Sequence, residues 1–327
     1  MISRVADHCF WMGRYLERAE ATARLLFVTR HYMSLDAGLT PRQCWLPVLI
    51  ATGEEADFTS RYGEKGADDG EAVQHHMTWD ERNFSSIANC VSAARENARS
   101  IREVISSELW ETVNELHLWF ASPLARAEYQ HERYGFYRKV RQACQLAAGY
   151  RRSTMLHDEP VNFMWLGVLL ERVSQTARVV DVHHHALSLI EKSDQVVETA
   201  LWLSLLRACS GFEPFIKVHQ GKVTGDAVAA FLIFEGRFPK SVVYGVRGAL
   251  SRFVEIRPPG EQELPGQETY ERLRALDAWL AGGARSLLPQ DFHGVLTRVV
   301  DETAAICNAL AREMLGAQPA ASQESSQ

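Results

Sequence analysis

The stretch Trp11–Arg24, WMGRYLERAEATAR, returns as WLGVLLERVSQTAR at Trp165–Arg178. Eight positions match at one spacing of 154 residues: Trp11/Trp165, Gly13/Gly167, Leu16/Leu170, Glu17/Glu171, Arg18/Arg172, Thr22/Thr176, Ala23/Ala177 and Arg24/Arg178. Both copies carry apolar residues at helical spacing. On a wheel of about 100° per residue, Gly13, Glu17, Glu20, Ala21 and Arg24 share one face, and Trp11, Tyr15, Arg18 and Thr22 share another. Glu17 and Arg18 therefore diverge, and each needs a partner other than its neighbour. A charge held in an apolar setting is costly unless paired, so the motif either fixes geometry or serves a site.

Two further strings repeat in the same order. CWLPVLIA (44–51) aligns with LWLSLLRA (201–208), and WDERNFSSI (79–87) aligns with FEGRFPKSV (234–242). Three colinear matches imply a tandem duplication of a helical unit of about 155 residues, too long a period for a solenoid. The expected division is a first repeat over 1–152, a second over 153–315, and a disordered tail over 316–327. The fold class is all-α, with two related helical halves around a shared core.

Helical periodicity covers 3–35, 83–120, 133–150, 160–192, 194–210, 240–255, 268–282 and 289–315. PRQCWLPVLIA (41–51) predicts a shorter helix that Pro47 limits or kinks. KSVVYGV is the best strand candidate in the chain and is assigned as helix. Breakers in YGEKGADDGEA (62–72) and RPPGEQELPGQE (257–268) predict solvent loops.

Composition narrows the function. The chain has 327 residues, 46% hydrophobic content, a net charge of −6 and a pI near 6.1. That balance disfavours a nucleic-acid binder. Cys9, Cys44, Cys90, Cys144, Cys209 and Cys307 include no CxxC, so they predict reduced thiols in helical cores. No apolar run reaches the roughly 18 residues of a spanning helix, and the N-terminus lacks a signal-like core. A cytoplasmic protein without membrane association is expected. No phosphate loop, GxSxG elbow or HExxH occurs, against an autonomous ATPase, serine hydrolase or zinc protease.

Other clusters read more weakly. Arg95, Arg99 and Arg102 make a cationic stripe, either a solvated face partnered by Glu96 and Glu103 or a clamp for carboxylate or phosphate. Asn97 beside it could read an amide. Asp181, His184 and His185 have metal-sharing spacing, but exposed histidine runs are common. Glu128 and His131 form one isolated ExxH, short of a di-iron set. Neither a metal nor a cofactor is expected.

RVADHCFWMGRYLERAEATARLL, ARENARSIREVISSELWETVN (94–114) and TMLHDEPVNFMWLGVLLERVSQTAR together resemble the bacterial Alpha-E family over about residues 1–315. The resemblance implies a helical domain with an ER motif, typically duplicated in tandem. It also implies work in a peptide synthesis or modification system beside circularly permuted ATP-grasp amide ligases, transglutaminase-like proteins and an NTN-hydrolase peptidase. Carried over, the ER motif falls on Glu17–Arg18 and Glu171–Arg172, and a second motif falls on Arg95, Glu96, Asn97 and Arg99. The later half departs from the family pattern at Val168, Lys240 and EPFIK (213–217).

The leading expectation is an accessory, substrate-handling subunit for an ATP-grasp ligase, with a peptide or amino acid as substrate. Arg18, Arg172, Arg24, Arg178 and the Arg95–Arg99 group would bind it. The alternatives are catalysis by Glu17 or Glu171 as acid or base, and a purely structural helical module. If the repeats are complementary, Glu17 should meet Arg172, or Glu171 should meet Arg18, within about 4 Å. The rival is pairing within one helix, Arg14 with Glu17 and Glu20 with Arg24.

Overall fold

The computed structural model of the chain describes residues 3–33, 39–188, 195–221, 223–260 and 263–316. The tail expected to be disordered lies almost wholly outside these residues. In chain order the helices are α1 (Ser3–Val28), α2 (Pro41–Thr52), α3 (Glu55–Tyr62), α4 (Gly70–Trp79), α5 (Ile87–Ser100), α6 (Ser107–Ala121), α7 (Pro123–His131), α8 (Arg133–Ser153), α9 (Glu159–Ser188), α10 (Gln195–Ala208), α11 (Phe212–Val218), α12 (Gly225–Phe234), α13 (Val242–Ile256), α14 (Gln267–Ala281), α15 (Gly283–Leu287) and α16 (Phe292–Met314). A π-helical turn, Thr29–Met33, prolongs α1. No strand occurs among the described residues, and KSVVYGV falls at the start of α13.

The two helices that carry the repeated string, α1 and α9, form the axis of the molecule. They pack directly on each other, with α5 and α8 against α1 and α13 and α16 against α9. The crossing is tight because both helices have glycine there. A Cβ on Gly13 would sit 2.3 Å from the carbonyl oxygen of Met164, and one on Gly167 would sit 2.1 Å from that of Phe10. Side chains that bury fully around this axis include Phe10, Met12 and Leu26 of α1 and Phe163, Met164 and Leu166 of α9. Each such burial contributes about 1.5–3 kcal/mol, and the apolar core runs continuously through both halves of the chain. The flanking helices interlock: α2 packs against α9, and α10 against both α1 and α9.

Aligned strings adopt matching local structure. Asp80 accepts from the backbone N–H of Arg82, and Glu235 accepts from that of Arg237. Ser86 then caps α5, accepting from Asn89 N–H, as Ser241 caps α13, accepting from Tyr244 N–H. A carboxylate-braced turn followed by a serine cap satisfies backbone donors that the helix itself leaves free.

Several expectations on element bounds are corrected. The 83–120 segment is two helices, because Ser106 caps a new start at Ser107. Residues 62–72 are not simply a solvent loop: Gly66–Asp68 is a 3-10 turn with Ala67 buried, and Asp69 caps α4. Pro47 does not end α2; it is buried within that helix. The short helices α3, α4, α7, α11, α12 and α15 were not legible as periodic runs. All six cysteines are free thiols, five of them buried. No helix among the described residues is long and apolar enough to cross a membrane.

The glycine crossing predicts the cost of adding one methyl group. Gly167→Ala places carbon against backbone, which no rotamer change relieves, so the helices must separate. A loss of about 3 kcal/mol is expected in urea unfolding, although alanine favours a helix by about 1 kcal/mol. Unchanged stability would mean the crossing is not tight.

Candidate functional site

At the crossing, the two Glu–Arg pairs answer each other. Arg172 donates to Glu17 with both arms of its fork, Nε to Oε1 at 2.7 Å and Nη2 to Oε2 at 2.8 Å. Arg18 does the same to Glu171, at 2.7 and 3.0 Å. The reciprocal contact expected from the repeated string is therefore present twice. Bidentate arginine–carboxylate bonds are among the stronger charged contacts and fix orientation as well as distance.

Arg14, one turn before Arg18, adds a third fork member, with Nε 2.8 Å and Nη2 2.7 Å from Glu171 Oε2. The rival arrangement holds in part: Arg14 crosses to Glu171 instead of pairing with Glu17, but Glu20 does pair with Arg24 within α1. Lys240 reaches from the turn before α13 to donate to Glu20 at 2.7 Å. Its backbone carbonyl accepts from Thr176 at 3.0 Å, and the carbonyl of Pro239 accepts from Arg172 at 3.0 Å. Gln175 completes the shell of Glu171 at 2.9 Å.

These carboxylates are ionised. Burial pushes Glu171 up, but Arg18 and Arg14 together outweigh it and bring the pKa down to about 2. Glu20 is likewise about 2, because Lys240 and Arg24 overcome its burial. Glu17 also lies below the usual range, with burial opposed by Arg172 and Lys240.

Beside the clasp lies a cavity of about 150 Å³. Five cationic side chains, Arg14, Arg18, Arg172, Arg178 and Lys240, line it with only two carboxylates, Glu17 and Glu171. Thr52, Ser85, Ser174, Gln175 and Thr176 supply neutral polar groups. Arg178 stands apart. Its counterpart Arg24 has Glu20 one turn earlier, whereas the position before Arg178 is Ser174. Among the described residues Arg178 makes no hydrogen bond or ion pair. Burial pushes its pKa down and the charges of Arg18 and Arg14 add to that, although Glu171 opposes them.

On the far side of Arg172 a smaller cavity of about 80 Å³ holds Arg151, buried at 4% exposure. Its guanidinium stacks 4.2 Å from the Trp165 ring, and among the described residues its Nε has no hydrogen-bond partner. Burial chiefly lowers its pKa, to about 10.

The structure thus brings Glu17, Arg18, Glu171, Arg172 and Arg178 together, with Arg24 linked to them through Glu20 and Lys240. Arg95, Glu96, Asn97 and Arg99 do not line the cavity. Arg95 and Arg99 pair with Glu96 on α5, and Arg95 also donates to Asn114 at 3.2 Å. Asn97 meets the ring of His8 at 2.8 Å and so ties α5 to α1. The stripe expected to share in substrate binding therefore stands apart from the cavity, its arginines held by Glu96 on α5. Asp181, His184 and His185 do not converge either: Asp181 pairs with His293, and His184 stacks on Phe292. Sequence reading missed Ser85, Arg151 and Gln175 in this region, and the reach of Lys240 to Glu20.

Fold and site define an all-α protein whose two longest helices are clasped by reciprocal glutamate–arginine pairs beside a cationic cavity. The chain belongs to the Alpha-E family, described as a predicted alpha-helical domain with a conserved ER motif, whose model matches residues 1–315. It is similar to uncharacterized proteins of Mycobacterium bovis and of Mycobacterium tuberculosis strain H37Rv, each 26% identical over 256 residues. That match takes in 74% of this chain but only 28% of each relative's length. No solved structure matches.

Glu171→Gln tests the clasp. The amide keeps the shape but leaves Arg14 and Arg18 sharing a buried partner without charge, at a cost of roughly 3–5 kcal/mol. The pH dependence has a defined sign. A carboxyl whose folded pKa is depressed gives stability that is full above its unfolded value, 4.5, and is lost as pH falls towards about 2. Glu171 alone should account for about 3 kcal/mol of that loss. Urea unfolding at pH 7, 4 and 2.5 should show a shallower acid loss in the variant, and parallel curves would contradict the assignment.

Proposed function

We propose that the ER clasp is the rigid floor of an anion-binding chamber, and that the protein handles a carboxylate- or phosphate-bearing substrate for an ATP-grasp amide ligase. The observation that carries this reading is Arg178, a part-buried guanidinium without an ion pair, in a cavity where cations outnumber carboxylates. A site with surplus fixed positive charge and guanidinium donors suits a carboxylate, phosphate or acyl phosphate. Arg18 and Arg172 already spend their forks on glutamates, so Arg178 is the chamber's arginine without a partner among the described residues. Glu17 and Glu171 act as positioning ions. A carboxylate held near pKa 2 by two guanidiniums is a poor proton carrier at neutral pH, where efficient acids and bases titrate closer to the working pH.

In this reading the substrate is a peptide or amino acid, the partners are the ATP-grasp ligase and a transglutaminase-like protein of the same pathway, and the setting is the cytoplasm. The halves 1–152 and 153–315 are products of tandem duplication, with the chamber formed where the copies have diverged. Ser174 in place of Glu20 removes one carboxylate and leaves Arg178 available.

The test is Arg178→Gln. Its stability should stay within about 0.5 kcal/mol of wild type, since no ion pair is lost. Affinity for anionic probes (inorganic phosphate, acetate and L-glutamate, by calorimetry) should fall about 10–100-fold, as loss of a charged hydrogen bond implies. Copurification with the ATP-grasp protein, and ATP consumption with and without this chain, should depend on Arg178 in parallel. Normal probe affinity and normal ligase stimulation in the variant would overturn the reading.

A further inference from the structure

Away from the chamber, one fully buried side chain lacks a hydrogen bond at both of its polar atoms among the described residues. His76, in the last turn of α4, is 0% exposed, and neither Nδ1 nor Nε2 has a partner. Buried ring nitrogens are nearly always satisfied, so two free on one ring need an explanation. Three carboxylates surround it. Nε2 is 3.8 Å from Glu54 Oε2 and 4.0 Å from Asp57 Oδ2, while Nδ1 is 3.5 Å from Asp80 Oδ2. Asp57 Oδ2 is itself buried and without a partner.

Local sequence explains the convergence. Gly53 takes a left-handed conformation, φ 80°, which ends α2 and delivers Glu54 to the start of α3. Glu54 occupies the cap position there, yet its side chain caps nothing. Asp57 follows one turn later on the same face, a spacing of three residues. Asp57 Oδ1 is held by Arg61 Nη2 at 2.7 Å, which leaves Oδ2 for another ligand. Phe58 and Tyr62 confine the imidazole edge-on, with ring centres 5.1 and 6.1 Å away.

We propose that Glu54, Asp57 and His76 form a binding site for one divalent transition-metal ion. The three donor atoms, Glu54 Oε2, Asp57 Oδ2 and His76 Nε2, lie within 4.8 Å of one another. His76 Nε2, at 3.8 and 4.0 Å from the two oxygens, is too far for hydrogen bonds, and rotations of the Glu54 and Asp57 carboxylates would bring the three atoms to the roughly 3.4 Å that separates ligands each about 2.1 Å from a tetrahedral ion. Asp80 faces the opposite ring nitrogen, where a carboxylate fixes the tautomer and strengthens the imidazole as a ligand. Asp80 is in turn held by Arg61 at 3.1 Å and Arg82 at 3.2 Å. One imidazole and two carboxylates suit zinc or manganese and do not suit soft, thiol-seeking ions. Three protein ligands leave a coordination position open. The assignment is independent of the anion chamber, since none of these four residues lines it.

The experiment is calorimetry of the metal-free full chain with Zn²⁺ and with Mn²⁺, and Co²⁺ visible absorption as a report of the donor set. One equivalent should bind. Glu54→Gln and Asp57→Asn, both at part-exposed positions and checked for folding by circular dichroism, should each weaken binding by roughly tenfold or more. His76→Gln should abolish it, but its burial makes the two carboxylate variants decisive. Failure of the folded wild-type chain to bind any of the three ions overturns the proposal. Stoichiometric binding that survives in both Glu54→Gln and Asp57→Asn overturns it equally, by placing the ion on the exposed histidines.

Discussion

Everything in this structure rests on the close passage of α1 over α9. Glycine at 13 and 167 brings two backbones so near that a methyl group would overlap a carbonyl oxygen. At that distance a side chain on one helix reaches the other helix more easily than it reaches its own sequence neighbour. Glu17 and Arg18 diverge on the wheel, so each turns across the crossing and finds the opposite member of the second pair. The glycine contact and the ionic contact thus lie at one helix crossing.

Buried ion pairs are weak evidence for stability, because desolvation offsets most of their attraction. Their value here is angular. A bidentate fork tolerates little sliding, and two forks on opposite sides of one crossing fix both the register and the rotation of the helices. Helices packed by apolar side chains alone could shift along their ridges with modest cost. The clasp removes that freedom exactly where the cavity opens, and a preorganised wall is what a charged ligand site requires.

The surplus charge of the chamber has a simple origin. Where α1 keeps Glu20 beside Arg24, α9 has Ser174 before Arg178, and where α9 has Val168, α1 has Arg14. Arg14 joins the clasp on Glu171, and Arg178 is left over. With Lys240, these two arginines make the cavity lining cationic, five basic side chains against two carboxylates. Arg151, buried against Trp165 on the other side of Arg172, extends the same imbalance.

The sequence by itself determined the helical class, the axis and the reciprocal pairs, because helical period and repeated spacing are local facts that one chain displays in full. Glu17 with Arg172 and Glu171 with Arg18 could be named before any coordinates, since a repeated face has to meet something of matching character. Only tertiary structure decided the rest. Arg14 has an equally spaced glutamate on its own helix, and nothing local says that it crosses to Glu171. The ARENAR stripe has the composition of a clamp, yet the rotation of α5 turns Arg95 and Arg99 towards Glu96 and the surface. Glu54, Asp57, His76 and Asp80 belong to short helices hidden among breakers, and their convergence depends on how α3 and α4 fold back on each other. Periodicity reports which face of one element is buried; which side chains share a cavity is set by the packing of several elements at once.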